Sequence, residues 1–189
     1  QAYRQSSSAP EELYRRDPEN RLLARGPRFR LTGELVRDQA LAASGLLIPK
    51  IGGPSTRPYM PVGVWSETNR YGNLKNYKAD TGEGLYRRSM YTIWKRTAAP
   101  PSMLLFDAPN REICTPKRAR TNTPLQALAL MNEVTYVEAA RALAQRMMKE
   151  GGDSVDSRLL TGFRLVTART PDQATLDILK KGFEGRIKE

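Results

Sequence analysis

Apolar residues recur at helical spacing at both ends of the chain and lose that spacing in the middle. Near the N-terminus, Asp17-Pro18-Glu19-Asn20 supplies a cap, a proline for the first turn and an acid that complements the helix dipole. The pattern predicts a helix there, with Leu22 and Leu23 as its apolar contacts and Gly26-Pro27 as its stop. A second helix is predicted from about Gly33 to Ser44, with Leu35, Val36, Ala40 (or Gln39) and Ala43 facing inward. Glu34, Arg37 and Asp38 form its polar face, and Gly45 its C-cap.

Residues 121–189 are patterned more regularly. Thr123-Pro124 opens a helix through Leu125, Leu128 and Ala129, and Asn132 recaps or bends it on its way to about Met148. Its polar stripe is Glu138, Arg141, Gln145 and Lys149, with Val137, Ala140, Ala144 and Met147 turned away from it. Gly151-Gly152 ends that helix, and a third carries Leu159, Leu160, Phe163 and Val166. A fourth starts at the capping box Thr170-Pro171-Asp172-Gln173 and buries Leu176, Leu179, Phe183 and Ile187. Asp177/Lys181 and Glu184/Lys188 are four-apart pairs on it, and the short connection predicts an antiparallel hairpin of the last two helices.

Between these ends, residues 46–120 carry Gly or Pro every few positions, which predicts ordered loops pinned by tyrosine and tryptophan rings. Arg88-Ser89-Met90-Tyr91-Thr92-Ile93-Trp94 is β-branched and aromatic enough for a short strand, although Tyr86, Met90 and Ile93/Trp94 also fit a helix. The expected fold is mainly α: a helical bundle with a long Gly/Pro-rich ordered loop layer and at most a short β element. We read residues 1–189 as a single domain or domain fragment, with N-terminal helices (1–45), an aromatic and basic loop region (46–120) and a C-terminal bundle (121–189). The opening Gln1-Ala2-Tyr3-Arg4 reads as an internal start.

Composition changes the picture mainly by exclusion. The 189 residues include no histidine and one cysteine, so no Ser-His-Asp or Cys-His nucleophile, intrachain disulfide, four-cysteine metal site or C-x-x-C-H haem attachment can be built from this chain alone. No cofactor is therefore expected within it. No apolar run approaches the roughly 18 residues of a membrane span. The net charge is +11, and residues 85–120 hold eight basic and two acidic side chains. Arg87, Arg88, Arg118 and Arg120 are the candidate anion-binding residues, either converging on a cleft or fixing loops through carbonyls and carboxylates.

Other candidates read better as structure than as chemistry. Gly52-Gly53-Pro54-Ser55 lacks the spacing of a phosphate loop and is expected to be a tight turn. Cys114 has Lys117 and Arg118 nearby, which favour a thiolate, yet without a histidine base a buried, inert thiol is expected. Asp107 and Glu112 are expected to pair with Arg111, Arg118 or Arg120 rather than to act as acid and base. Met60 and Met103 sit where core residues sit.

Longer motifs carry a resemblance. These are Tyr86 through Met103, Phe106-Asp107-Ala108-Pro109, Arg111-Glu112 and Arg120-Thr121-Asn122-Thr123-Pro124-Leu125-Gln126-Ala127-Leu128. Tyr3 to Ser7, Asp17 to Leu23, Gly52 to Ser55 and Phe163 to Arg169 match as well. Together they resemble planctomycete-specific domain one, the C-terminal domain of unknown function of large exported planctomycete proteins. The resemblance implies an exported, periplasmic or cell-surface setting and upstream domains of the same polypeptide as partners. Many such proteins carry a c-type cytochrome domain, so a haem would belong to a missing upstream domain. It supplies no catalytic residues.

Two functions follow as expectations. One is a C-terminal accessory or scaffold domain that grips an acidic or sulfated polysaccharide or a protein partner. The alternative is the C-terminal part of a redox or hydrolytic enzyme whose other catalytic groups lie upstream. Nucleic acid is not expected as a partner, because charge alone supports it and no recognition motif accompanies the charge.

Overall fold

The computed structural model describes residues 5–66, 77–95 and 97–187. The chain is mainly helical, with no sheet among the described residues. It divides into two compact units, Gln1–Leu31 and Thr32–Glu189.

The first unit holds one short helix, α1 (Glu11–Arg16), in place of the helix predicted from Asp17. Asp17 lies at the end of α1, and its carboxylate accepts from the Arg21 and Leu22 N–H groups at 2.9 and 2.8 Å. Those bonds hold its carboxyl below the usual range. Asn20 and Leu23 take φ of 54° and 53°, left-handed values that a continuous helix cannot contain. The buried Arg25 closes the loop, donating to the Leu13 and Pro18 carbonyls and lying 4.5 Å from the centre of the Tyr14 ring. Side-chain bonds to the backbone have replaced the helix here.

In the second unit, α2 (Gly33–Ser44) is the central strut, ended by Gly45 at φ 80° as the sequence predicts. After it come 3-10 turns at Gly82–Leu85 and Ser89–Tyr91, then α3 (Pro101–Leu105), α4 (Pro124–Asn132), α5 (Val134–Glu150), α6 (Val155–Thr167) and α7 (Gln173–Ile187). α2 packs against α3, α5, α6 and the turn at Ser89–Tyr91. Leu41, Met103, Phe106, Tyr136 and Ala139 are buried, with the Phe106 and Tyr136 rings edge-on at 6.4 Å. Trp65 is also buried, donates its indole N–H to the Ala98 carbonyl at 3.2 Å and meets Tyr77 edge-on at 5.0 Å. The loop layer is therefore pinned by rings, as expected of an aromatic-rich segment.

The inward faces differ from the sequence reading in three places. In α2 the buried residues are Gly33, Arg37, Asp38, Leu41, Ala43 and Ser44, so Arg37 and Asp38 lie inside while Leu35 is exposed. In α5 they are Thr135, Tyr136 and Ala139, while Val137, Ala140 and Ala144 are exposed. Among the helices of the described residues α7 packs on α6 alone; Phe183 and Ile187 are exposed, and Leu176 and Leu179 are half-buried. The break after α4 falls at Glu133, whose carboxylate caps α5 through the Thr135 N–H. Asp172, not Thr170, caps α7 by accepting from the Thr175 N–H at 2.8 Å. Lys188, and with it the Glu184/Lys188 pair, lies outside the described residues, as do Tyr3 and Arg4.

The predicted strand at Arg88–Trp94 is a 3-10 turn flanked by isolated bridges, Ile48 with Arg87 and Thr56 with Thr92. The reason lies in α2, whose side chains occupy the backbone groups that a neighbouring strand would need. Arg37 Nη1 donates to the Arg87 carbonyl (2.9 Å) and to Ser89 Oγ (3.1 Å), and Nη2 to the Leu85 carbonyl (2.5 Å). Asp38 Oδ1 accepts from the Ser89 N–H at 2.7 Å.

Replacing Arg37 by Leu leaves two buried carbonyls without donors and should cost about 3 kcal/mol. Arg37→Lys should recover little, because an ammonium lacks the guanidinium fork. Both tryptophans lie in the second unit, so urea unfolding followed by their fluorescence reads this directly. A midpoint unchanged in Arg37→Leu would show that the loop layer holds itself.

Candidate functional site

The four arginines singled out from the sequence go to separate places. Arg87 is buried, and its guanidinium donates to the carbonyls of Pro54 (3.1 Å), Lys50 (3.0 Å) and Gly52. It also lies 4.0 Å from the centre of the Tyr91 ring, and the Tyr91 hydroxyl accepts from the Gly52 N–H at 2.8 Å. The Gly52-Gly53-Pro54-Ser55 loop is thus a tight turn whose carbonyls point at an internal cation. Arg88 is half exposed, with Nε 3.7 Å from Asp38. Arg118 Nη1 donates to both oxygens of Glu34, at 3.0 and 2.8 Å. Arg120 is exposed.

Burial opposes ionisation of Glu34, but its backbone bond and the Arg118 guanidinium outweigh burial and hold its carboxyl below the ordinary value. Burial pushes Arg37 down while Asp38 beside it pushes back. A guanidinium stays charged throughout the accessible pH range, so the cost of burial is met by carbonyls. The same device recurs: Arg146 Nη1 on α5 donates to the Ala43 carbonyl at the end of α2 (3.0 Å). Sequence reasoning missed Arg37 and Asp38 by assigning them to a polar face. The available signal was the run Gly33, Arg37, Leu41, Ser44, which falls on one helical stripe.

Residues 110–125 form one continuous exposed stretch. Arg111 stacks 4.4 Å over the Trp94 ring, whose N–H donates to the Asn110 carbonyl at 3.2 Å. Asp107 accepts from the Thr121 N–H (2.8 Å) and hydroxyl, and Glu112 accepts from the Asn110 side chain. Thr123 and Gln126 then close a reciprocal capping box on α4. Cys114 is exposed, which corrects the expectation of a buried thiol; the stretch around it has no apolar cover. Met103 is buried in the core. Among the described residues no three His, Cys, Asp or Glu side chains group as metal ligands, and no helix is long and apolar enough to cross a membrane.

These features define a helical domain clad in loops that buried arginines hold by their carbonyls. The chain belongs to the family described as PSD1, protein of unknown function (DUF1553), whose model matches residues 1–183. Nothing matches it among curated proteins or among solved structures.

Three tyrosines give the site a pH signature. Burial pushes the Tyr77 hydroxyl up to about 12, and burial also raises Tyr136. Tyr86 is raised chiefly because it donates to Glu138 Oε1 at 2.8 Å. Above pH 10 the unfolded chain releases these protons while the folded chain keeps them, so stability is full below pH 10 and falls as pH rises towards 12. A tyrosinate absorbance titration should show Tyr77, Tyr86 and Tyr136 ionising late, with a lower urea midpoint at high pH. All eight tyrosines ionising together near pH 10 in the folded protein would contradict the arrangement.

Proposed function

We propose that this chain is an accessory domain of an exported multidomain protein, and that its exposed basic loop contacts an acidic, sulfate- or carboxylate-bearing glycan. The supporting observation is how the basic residues divide. Arg37 and Arg87 are spent inside on carbonyls, whereas residues 110–121 are exposed throughout and carry Arg111, Lys117, Arg118 and Arg120 beside Glu112, with Arg118 paired to Glu34. Trp94, Glu34 and Asp107 hold that loop at three points, so its cations are displayed on a supported backbone. Guanidinium groups suit sulfate and carboxylate because their planar fork offers paired donors. The planctomycete setting and an upstream haem domain belong to the same proposal, drawn from the sequence resemblance.

Heparin is a practical probe. Binding at low salt should be weak and should collapse by several hundred millimolar salt, as screening shortens the range of the field. Exchanging Lys117 and Arg120 together for Ala should weaken it by about tenfold, with helicity unchanged. Arg118 is left intact in that variant because it also anchors the loop to Glu34. Retention no greater than that of a neutral control protein would end the glycan reading.

A further inference from the structure

One stretch of the chain is laid out as a protease substrate. Residues 110–125 are exposed without a break, and residues 108–122 form neither helix nor strand. Among the described residues, no hydrogen bond from main chain to main chain involves residues 114–119. An endoprotease takes its substrate extended and pairs with just such main-chain groups along its cleft, so exposure and an unpaired backbone together decide where a folded chain is cut. The side chains then single out one bond. Arg111 is stacked on Trp94, Arg118 donates to both oxygens of Glu34, and Arg120 adjoins Thr121, whose N–H is bound by Asp107. Lys117 is exposed between these anchors, with Cys114, Thr115 and Pro116 ahead of it in the unpaired run. The Glu34 contact holds Arg118 by its side chain and leaves the main chain at the Lys117–Arg118 bond unpaired.

Elsewhere basic side chains are as exposed, but their backbone is not free. Arg141, Lys149, Arg164 and Lys181 lie within α5, α6 and α7, where the helix must open locally before a protease can take it. A cut at Lys117 would also leave the domain in one piece. α2 and α3 lie before the bond and α4 to α7 after it, and α2 packs on α5 and α6 while α3 packs on α4. The Phe106 ring meets Tyr136 across the same divide, and Arg146 holds the Ala43 carbonyl.

We propose that the Lys117–Arg118 bond is a processing site for an endoprotease whose acidic specificity pocket takes a lysine, and that the two pieces stay folded together. Water adds across the peptide bond, its hydroxyl to the Lys117 carbonyl carbon and its proton to the Arg118 nitrogen, which leaves a new carboxylate and a new amino group. The inference needs only the exposure of the loop, so it stands or fails apart from the glycan reading. Trypsin is the probe, used at a low ratio on the full native chain. Mass spectrometry should find this bond cut well before those after Arg141, Lys149, Arg164 or Lys181, the two products together one water heavier than the intact chain. The nicked protein should elute from a sizing column with the intact one and separate only in urea. Lys117→Gln should remove this cut with circular dichroism unchanged, since the side chain is exposed. Arg141→Gln, at an exposed position on α5, should leave its rate unchanged. A bond that outlasts the helical sites overturns the proposal. So does a trypsin complex in which the bond stays whole, or a pair of pieces that part on cleavage without urea.

Discussion

The Gly/Pro-rich half of the second unit depends on one buried guanidinium. Arg37 projects from the inward face of α2 and is satisfied chiefly by main-chain oxygens, those of Leu85 and Arg87, with Ser89 Oγ as the third acceptor. Both terminal nitrogens find acceptors, while Nε is buried without one, and residues 85–89 curl around the guanidinium to supply those acceptors. Arg87, its backbone fixed by Arg37, then reaches outward and holds the carbonyls of residues 50, 52 and 54. Two arginines in series thus transmit the position of a helix to a loop with no regular structure of its own.

The helical ends of the chain were readable because capping and periodicity are local. Thr123-Pro124, Gly45 and Gly151-Gly152 act on their own few neighbours: α4 starts, and α2 and α5 end, where those signals put them. Which face of a helix turns inward was less readable. In α2 the stripe that carries Leu41 also carries Arg37 and Asp38, and polarity concealed their burial. The Asp17 cap failed for a related reason: its carboxylate does bind two N–H groups, but at the end of a helix, across a turn with left-handed Asn20 and Leu23. Among the candidate residues, Arg87 and Arg118 were visible as arginines, while their partners lie 33 to 84 residues away and no local pattern encodes them.

α4 and the basic loop are covalently continuous, since residues 110–121 run directly into the Thr123 cap. The capping box at Thr123 and Gln126, together with the Asp107–Thr121 bonds, fixes the direction in which the loop enters the helix.

Arginines that recognise carbonyls also shape what related sequences can reveal. Every residue type has a carbonyl, so positions 50, 54 and 85 can exchange side chains without losing their bonds to Arg37 or Arg87, provided the backbone path is kept. Contacts between side chains leave correlated substitutions in a family; these do not. The couplings that organise this layer are therefore silent to any method that infers proximity from paired sequence changes, and they become visible only as hydrogen bonds in three dimensions.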